Sequence, residues 1–413
     1  MTSSIASRYA LRSLLRHKRR TFLSVVGIGV GCGVCLFLVS YVRGESEMMM
    51  RAAAQSGTGH LRIAPRQWLE TRNDDLRLAD WGTGMAMAEK LDGVACATPH
   101  ARTDALLAMG TRTVGVTLTG VDPEREPHLN RLIRKVTLGT YLTSGETGIV
   151  VIGKGIAERL DVGLDDDILV TASGQDGQIQ GAMLRVVGIV ATGSRALDTQ
   201  VCHVLLEDVS RITDRRGPAE ISILLDTPKR YRETADLLQQ HVGGESVVLT
   251  WEELIPELAA AVEVDKTWTR LMVGVVVLVV FLGIASAQLA AVLERRREFA
   301  VLSAIGMKGG QLIRIMLTES LLLGLFGGLL SLAIGLPVVA FSATHGIDFS
   351  GLYGDADLSV SSILIDPIIY GDAGWWLVPL ALGLSLTATM LSSLYPAWYA
   401  LRTDPANALR VEH

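Results

Sequence analysis

Four long runs of this chain, residues 21–42, 271–293, 320–347 and 373–401, contain no Asp, Glu, Lys or Arg. A helix needs roughly 20 apolar residues to cross the hydrocarbon core of a bilayer, where every backbone amide must be satisfied within the segment. Each run is long enough, so four membrane helices are predicted, and the last two leave room for tilt. Mean hydropathy is +0.35 and 49% of residues are hydrophobic, too apolar for an ordinary soluble protein and too polar for a chain that is mostly membrane. The polar balance lies mainly between the first two runs, in a segment long enough to bury a core.

The first run follows Arg16, His17, Lys18, Arg19 and Arg20, a flank shared by signal peptides and membrane anchors. A cleavable apolar core is about 7–15 residues long and ends in a small-x-small site. This run is longer and ends Ser40-Tyr41-Val42-Arg43, so it is expected to remain as a span.

Positive charge marks one side of the membrane. Arg8, Arg12, Arg16, Lys18, Arg19 and Arg20 precede the first run, and Arg295, Arg296, Arg297, Lys308 and Arg314 lie between or beside the second and third. The connection between the third and fourth carries Asp348, Asp355, Asp357, Asp366 and Asp372 without a single Lys or Arg. Both termini are therefore expected in the cytoplasm, with the acidic connection and the large polar segment outside.

The predicted fold is an α-helical membrane protein with four transmembrane helices plus a mixed α/β extracytoplasmic domain inserted between helices 1 and 2. An amphipathic helix along the cytoplasmic face occupies 1–20, with Arg8, Arg12 and Arg16 recurring every four residues. Spans follow at 21–42, 268–293, 311–343 and 373–401, with the outer domain at 43–267, a cytoplasmic segment at 294–310, an outer loop at 344–372 and a cytoplasmic tail at 402–413. Within the outer domain, alternation or short apolar runs predict strands at 59–64, 105–109, 113–121, 149–152, 168–171, 184–190, 201–206, 221–225 and 247–249. Helices are predicted at 85–91, 228–241 and 251–264, the last running into the second span. The order suits two lobes, one from the flanks and one from the strand-rich middle.

Residues 294–306 read as a short amphipathic helix. Phe299, Leu302 and Ile305 share one face, charged residues crowd its start, and Gly306-Met307-Lys308-Gly309-Gly310 stops it. Such a helix suits a groove on a cytoplasmic partner; the alternative is an ordinary basic loop. Glu319 stands where a span begins, a costly place for a carboxylate, and calls for a basic partner such as Arg314 or a group on a neighbouring helix.

Other signals exclude function classes. A net charge of −5 implies no nucleic-acid partner, and no G-x-x-x-x-G-K-[ST] phosphate loop occurs in the 413 residues. Cys32 and Cys35 lie inside a span, where packing outweighs redox chemistry, and Cys96 and Cys202 are candidates for a bridge only if the fold brings them together. His60, His100, His128, His203 and His241 have no ligand spacing, Asp165-Asp166-Asp167 lacks the EF-hand pattern, and no Ser/His/Asp set is visible.

Three segments carry a resemblance: Leu15-Arg16-His17-Lys18-Arg19-Arg20-Thr21-Phe22 opening into a glycine-rich span, Glu294-Arg295-Arg296-Arg297-Glu298-Phe299-Ala300-Val301-Leu302 with Gly306 and Glu319 beyond, and Tyr395-Pro396-Ala397-Trp398-Tyr399-Ala400-Leu401-Arg402 closing the fourth. In this order the chain resembles the MacB/FtsX/lipoprotein-releasing permease superfamily. Gly59-His60-Leu61-Arg62-Ile63, residues 142–163 and residues 247–256 look most like lipoprotein-releasing permeases. The resemblance implies the permease subunit of an ABC transport complex in the bacterial inner membrane, not itself an enzyme. It would act by ATP-driven mechanical transmission on a lipoprotein, lipid-like or peptide substrate. Arg297, Glu298, Phe299, Val301, Leu302, Ile305 and Gly306 would form the ATPase-coupling helix, and Glu319 a functional group in the membrane. The implied partners are two ABC ATPase subunits, which hold ATP and Mg while this chain binds no cofactor, a second permease subunit, identical or related, and a periplasmic adaptor or lipoprotein. The resemblance leaves two alternatives: FtsX-like signalling to a cell-wall hydrolase, and MacB-like efflux through an adaptor.

Overall fold

The computed structural model describes residue 16 and residues 18–294, 307, 309–353, 359–360, 363–364 and 366–402. In chain order its principal elements are α1 (Lys18–Ala54), β1 (Leu61–Pro65), α2 (Trp81–Lys90), β2 (Val94–Met109), β3 (Arg112–Val121), α3 (Glu126–Leu129), β4 (Val136–Gly139), β5 (Ile149–Gly153), α4 (Lys154–Leu160), β6 (Asp167–Ser173), β7 (Ile179–Val190), β8 (Cys202–Leu205), α5 (Leu206–Thr213), β9 (Glu220–Leu225), α6 (Tyr231–His241), β10 (Ser246–Thr250), α7 (Pro256–Glu294), α8 (Gly309–His345) and α9 (Leu377–Arg402). Two compact units divide the chain. One comprises Met1–Glu45, Val264–Ile347 and Ile369–His413, the other Ser46–Glu263 and Asp348–Ile368.

The first unit holds the apolar parts of α1, α7, α8 and α9, each long and apolar enough to cross a membrane. These helices have small residues where they meet, because lipid offers no hydrophobic drive for association and close backbone approach must supply the contact. A methyl on Gly29 would stand 2.8 Å from Leu330, one on Gly327 2.4 Å from Ile28, and one on Gly328 2.5 Å from Ser385 Oγ. At the Ser40 end of α1, Ser40 Oγ donates to Asp372 O at 3.0 Å, Asp372 N donates to Ser40 O at 3.0 Å, and the Arg43 guanidinium lies 4.1 Å from the Trp376 ring. These contacts staple the start of the fourth span to the first.

The second unit is built on one ten-stranded sheet in the order β10-β1-β9-β2-β3-β8-β5-β7-β4, with β6 pairing β2 and β7. β2 is the common member: residues 94–100 pair with β9, and residues 101–109 pair with β3. Two apolar clusters flank it. One gathers Leu61, Ile63, Met85, Ile221, Ile223 and Leu238; the other gathers Leu107, Leu118, Ile152, Ile156, Val170 and Leu184. β6 shows the alternation that its sequence predicts, while β5 is buried throughout, as expected of a strand paired in parallel with β7. Along β10, Val248 N donates to Gln239 Oε1 of α6 at 2.8 Å, giving that backbone donor a side-chain partner.

Two expectations change. The helix predicted over 251–264 is broken at Ile255: Thr250 and Glu253 form a capping box for a one-turn helix, and α7 then starts at Pro256. A residue before proline is disfavoured in the helical region, whereas proline itself fits a helix's first turn. The acidic loop also contributes to the core of the second unit. Ile363 is 2% exposed and packs with Met50, Trp251, Leu258 and Val262, and Arg131 Nη1 pairs with Asp366 Oδ2 at 2.7 Å.

Candidate functional site

Two clusters of charge stand out. The first belongs to the membrane unit. Arg20, in the opening turns of α1, places Nη1 3.3 Å from Glu294 Oε2, at the last residue of α7, and Nη2 4.0 Å from Glu319 Oε1 on α8. Next to Glu319, Ser320 Oγ accepts from Gln288 Nε2 of α7 at 3.0 Å and donates to Met316 O. One guanidinium thus links three helices, at the end of α7 and about three turns into α8. Glu319 is 9% exposed, and its partner Arg20 comes from a neighbouring helix. Arg314 lies five residues earlier on the same helix, about 140° round its axis and on a different face. Arg297, Glu298, Phe299, Val301, Leu302, Ile305 and Gly306 lie outside the described residues, as do residues 1–15 of the expected N-terminal helix. The described structure therefore locates Glu319 and the two ends of the 295–308 segment.

The second cluster lies in the α/β unit, where β2 changes partners. Glu220 Oε2 is 2.9 Å from Arg62 Nη1, Glu220 Oε1 is 3.2 Å from Arg102 Nη2, and His100 Nε2 is 2.6 Å from Glu126 Oε2. Asn130 Nδ2 donates to Glu126 Oε1 at 3.0 Å, and Asn130 Oδ1 accepts from Leu132 N. Arg62, His100, Glu126 and Glu220 are each at most 4% exposed. Burial pulls the His100 imidazolium down, but Glu126 and Glu220 together outweigh it and raise its pKa to about 9. Burial raises the two carboxyls, yet His100 on Glu126, and Arg102 and Arg62 on Glu220, bring both below the usual carboxylate range. Nearby His203 goes the other way: burial lowers it to about 4, and its Nδ1 lies 3.0 Å from the Tyr141 hydroxyl. This cluster has no exposed nucleophile and forms no metal set among the described residues. Its chemistry is that of a buried ionic joint holding β1, β2, β9 and α3 in register.

Sequence reasoning singled out Glu319 and its need for a basic partner, on a neighbouring helix or at Arg314, but did not name Arg20 as that partner, and it missed the second cluster. The second left no signal: Arg62 between Leu61 and Ile63 reads as the solvent-facing position of an alternating strand. Among the cysteines, Cys96 and Cys202 are free thiols, held at about 11 and about 12 chiefly by burial.

Comparison with known proteins follows the same division. The FtsX-like permease C-terminal family matches residues 270–405, and the MacB-like periplasmic core domain family matches residues 21–241. The chain is 24% identical over 426 residues to the lipoprotein-releasing system transmembrane protein LolC of Xylella fastidiosa (strain Temecula1), covering 100% of both chains. It is 24% identical over 422 residues to the uncharacterized ABC transporter permease YknZ of Bacillus subtilis, covering 98% of each. To the macrolide export ATP-binding/permease protein MacB of Hyphomonas neptunium it is 25% identical over 421 residues, covering 98% of this chain and 60% of that one. The periplasmic-core match alone takes in more than half of the sequence, and the permease match takes in the last three apolar helices: the chain belongs to the MacB/FtsX family of ABC-transporter permeases.

Proposed function

We propose that this permease subunit transmits mechanical work from two separate ATPase subunits to its α/β domain, and that the work extracts or exports a lipoprotein, lipid-like or peptide substrate on the periplasmic side of the inner membrane. The observation that carries the reading is end-to-end similarity to a lipoprotein-releasing permease, together with a sequence that contains no phosphate loop. ATP and Mg would be held by the partner. Both termini and the 294–310 segment would be cytoplasmic, and a second permease subunit would complete the complex.

Arg20 has a defined part in this scheme. Force arriving on Arg297, Glu298, Phe299, Val301, Leu302, Ile305 and Gly306 enters the membrane at both ends of the segment, through Glu294 on one side and through α8 on the other. Arg20 links Glu294 and Glu319 to α1, so the three helices move together rather than singly. No charge needs to cross the bilayer for this. The packed seam of Gly29, Gly327 and Gly328 resists sliding, as interdigitated cores do.

The test is purification of the tagged chain from its native membrane, followed by assay of the eluate for vanadate-sensitive ATP hydrolysis. Co-elution of an ATPase is expected. An eluate free of any ATPase, from membranes in which the chain is functional, contradicts the reading. A co-eluting cell-wall hydrolase, with lipoprotein sorting intact on depletion, would favour signalling in place of transport.

A further inference from the structure

One side of β3 is only partly paired. β2 follows it from Arg112 to Gly120 without a bulge, whereas β8 joins its other side from Thr119 onward. The hairpin between β2 and β3 turns through Gly110 and Thr111 and closes on the pair Met109–Arg112. A two-residue loop is closed by a hydrogen-bonded pair, and such pairs alternate along an antiparallel ladder. Arg112, Val114, Val116 and Leu118 therefore bond to β2, while Thr113, Gly115 and Thr117 turn their amides to the open side. All three are exposed, and their N–H groups have no partner among the described residues. The inner face of the same stretch is closed, because Val114, Val116 and Leu118 are buried in one cluster with Ile156 and Leu160 of α4.

An open edge invites pairing with another chain, and proteins guard it with proline, charge, a bulge or a cover. β10, at one end of the sheet, is guarded. The outward N–H groups of Ser246, Val248 and Thr250 donate to Gly243 O at 3.0 Å, Gln239 Oε1 at 2.8 Å and Glu253 Oε2 at 2.8 Å. Residues 113–117 of β3 read Thr-Val-Gly-Val-Thr, without proline or charge, and their register is unbroken.

A cleft of about 700 Å³ borders this stretch, lined by Asp104, Gly115, Thr117 and Thr119 together with Thr199 and Gln200. Two features say what would fit. A methyl on Gly115 would have nothing within 4 Å, and Leu106, its partner on β2, is 44% exposed. A large apolar side chain opposite Gly115 would lie over that gap and cover Leu106. Asp104, the partner of Thr117, is exposed and accepts from Thr117 Oγ1 at 3.3 Å. Asp74 adds a second carboxylate to the lining, while the cation there, Arg102, is committed to Glu220 at 3.2 Å. The cleft thus favours a positively charged occupant. Two copies of this chain paired about Gly115 would set glycine against glycine and leave the gap empty.

We propose that the open edge of β3, Thr113 to Thr117, takes up an extended segment of a partner protein as an added strand. The segment carries a large apolar residue opposite Gly115 and, two positions away, a Lys or Arg opposite Thr117 that reaches Asp104. Main-chain hydrogen bonds supply affinity and the two side chains supply selectivity. The inference does not depend on transport or on an ATPase.

The full chain in phosphatidylcholine nanodiscs is titrated into the fluorescein-labelled peptide Thr-Lys-Val-Phe-Val-Lys-Thr, whose two lysines serve either strand direction, and anisotropy is read. The controls are the peptide N-methylated at Phe and both Val, its counterpart with Glu for Lys, and empty nanodiscs. Saturable binding is expected, weakened roughly tenfold or more by N-methylation and by Gly115→Pro, which removes an outward N–H at a place where a strand tolerates proline. Asp104→Lys should transfer the preference from the Lys peptide to the Glu peptide, and it carries the test if Gly115→Pro does not fold. Equal binding of the N-methylated peptide, or unchanged binding and preference in the folded variants, overturns the proposal. So does the lack of saturable binding up to about 1 mM, even if Gly115→Pro breaks up a dimer of the chain, which would assign the edge to self-pairing.

Discussion

Glu220 is 3% exposed and faces Arg62, Arg102 and His100 at once. Removing one member of a buried ion cluster leaves the others desolvated and unpaired, which typically costs about 3–5 kcal/mol. Glu220→Ala is therefore expected to lower the stability of the α/β unit by about that amount in denaturant unfolding followed by tryptophan emission; a loss below about 1 kcal/mol would contradict the buried joint. The cluster also sets a pH dependence. His100 has its pKa raised from 6.5 to about 9, so its contribution is complete below 6.5 and is lost as pH rises through 9. His60 and His203 are lowered from 6.5 to about 4, so theirs is complete above 6.5 and lost as pH falls through 4. Thermal stability should peak near the ordinary histidine value, and His100→Gln should flatten the alkaline limb while leaving the acid limb in place. An unchanged alkaline limb would show that His100 is not charged in the folded domain. None of these charges was legible beforehand, because in one strand a buried ionic residue looks like an exposed one. Its partners stand 158, 120 and 118 residues away in sequence from Glu220, at Arg62, His100 and Arg102.

The membrane helices were the most legible elements, since an unbroken apolar run of that length has few other uses. The strands that alternate, β3 and β6, were equally plain. The first half of β2 was not, because Pro99, His100, Arg102 and Asp104 interrupt its pattern and its partner β9 lies far along the chain. The helix seam makes a prediction of its own. Gly327→Leu would drive a side chain into Ile28 of α1, where even a methyl would be 2.4 Å from Cγ2, and overpacking typically costs about 1–3 kcal/mol. A lower melting temperature in detergent is expected, with no such drop for Gly383→Leu, which has nothing within 4 Å. Equal melting of the two variants would mean that the seam is not tightly packed. The loop before α9 gives a second prediction. Ile363 shares a core with Trp251 and Leu258, so the loop lies on the same side of the membrane as the α/β unit. Cysteine at Gly351, an open position, should react with an impermeant thiol reagent in intact spheroplasts above the background of the unsubstituted chain. Labelling only after lysis would reverse the proposed orientation.

At the scale of the whole molecule, the proposed entry point for work is the segment between α7 and α8. The apolar face of Phe299, Leu302 and Ile305, read from the sequence alone, follows directly on Glu294, and Arg20 ties Glu294 to Glu319 within α8. A short helix has few contacts to spare, and loss of one buried leucine typically costs about 2–5 kcal/mol before any penalty for a buried carboxylate. The most direct measurement compares Leu302→Asp with Lys308→Ala for membrane abundance, retention of the co-purifying ATPase, and substrate movement per ATP hydrolysed. The account predicts normal abundance for both variants, near-normal function for Lys308→Ala, and for Leu302→Asp either loss of the ATPase or hydrolysis without substrate movement. Leu302→Asp with ATPase association and transport both intact would contradict it.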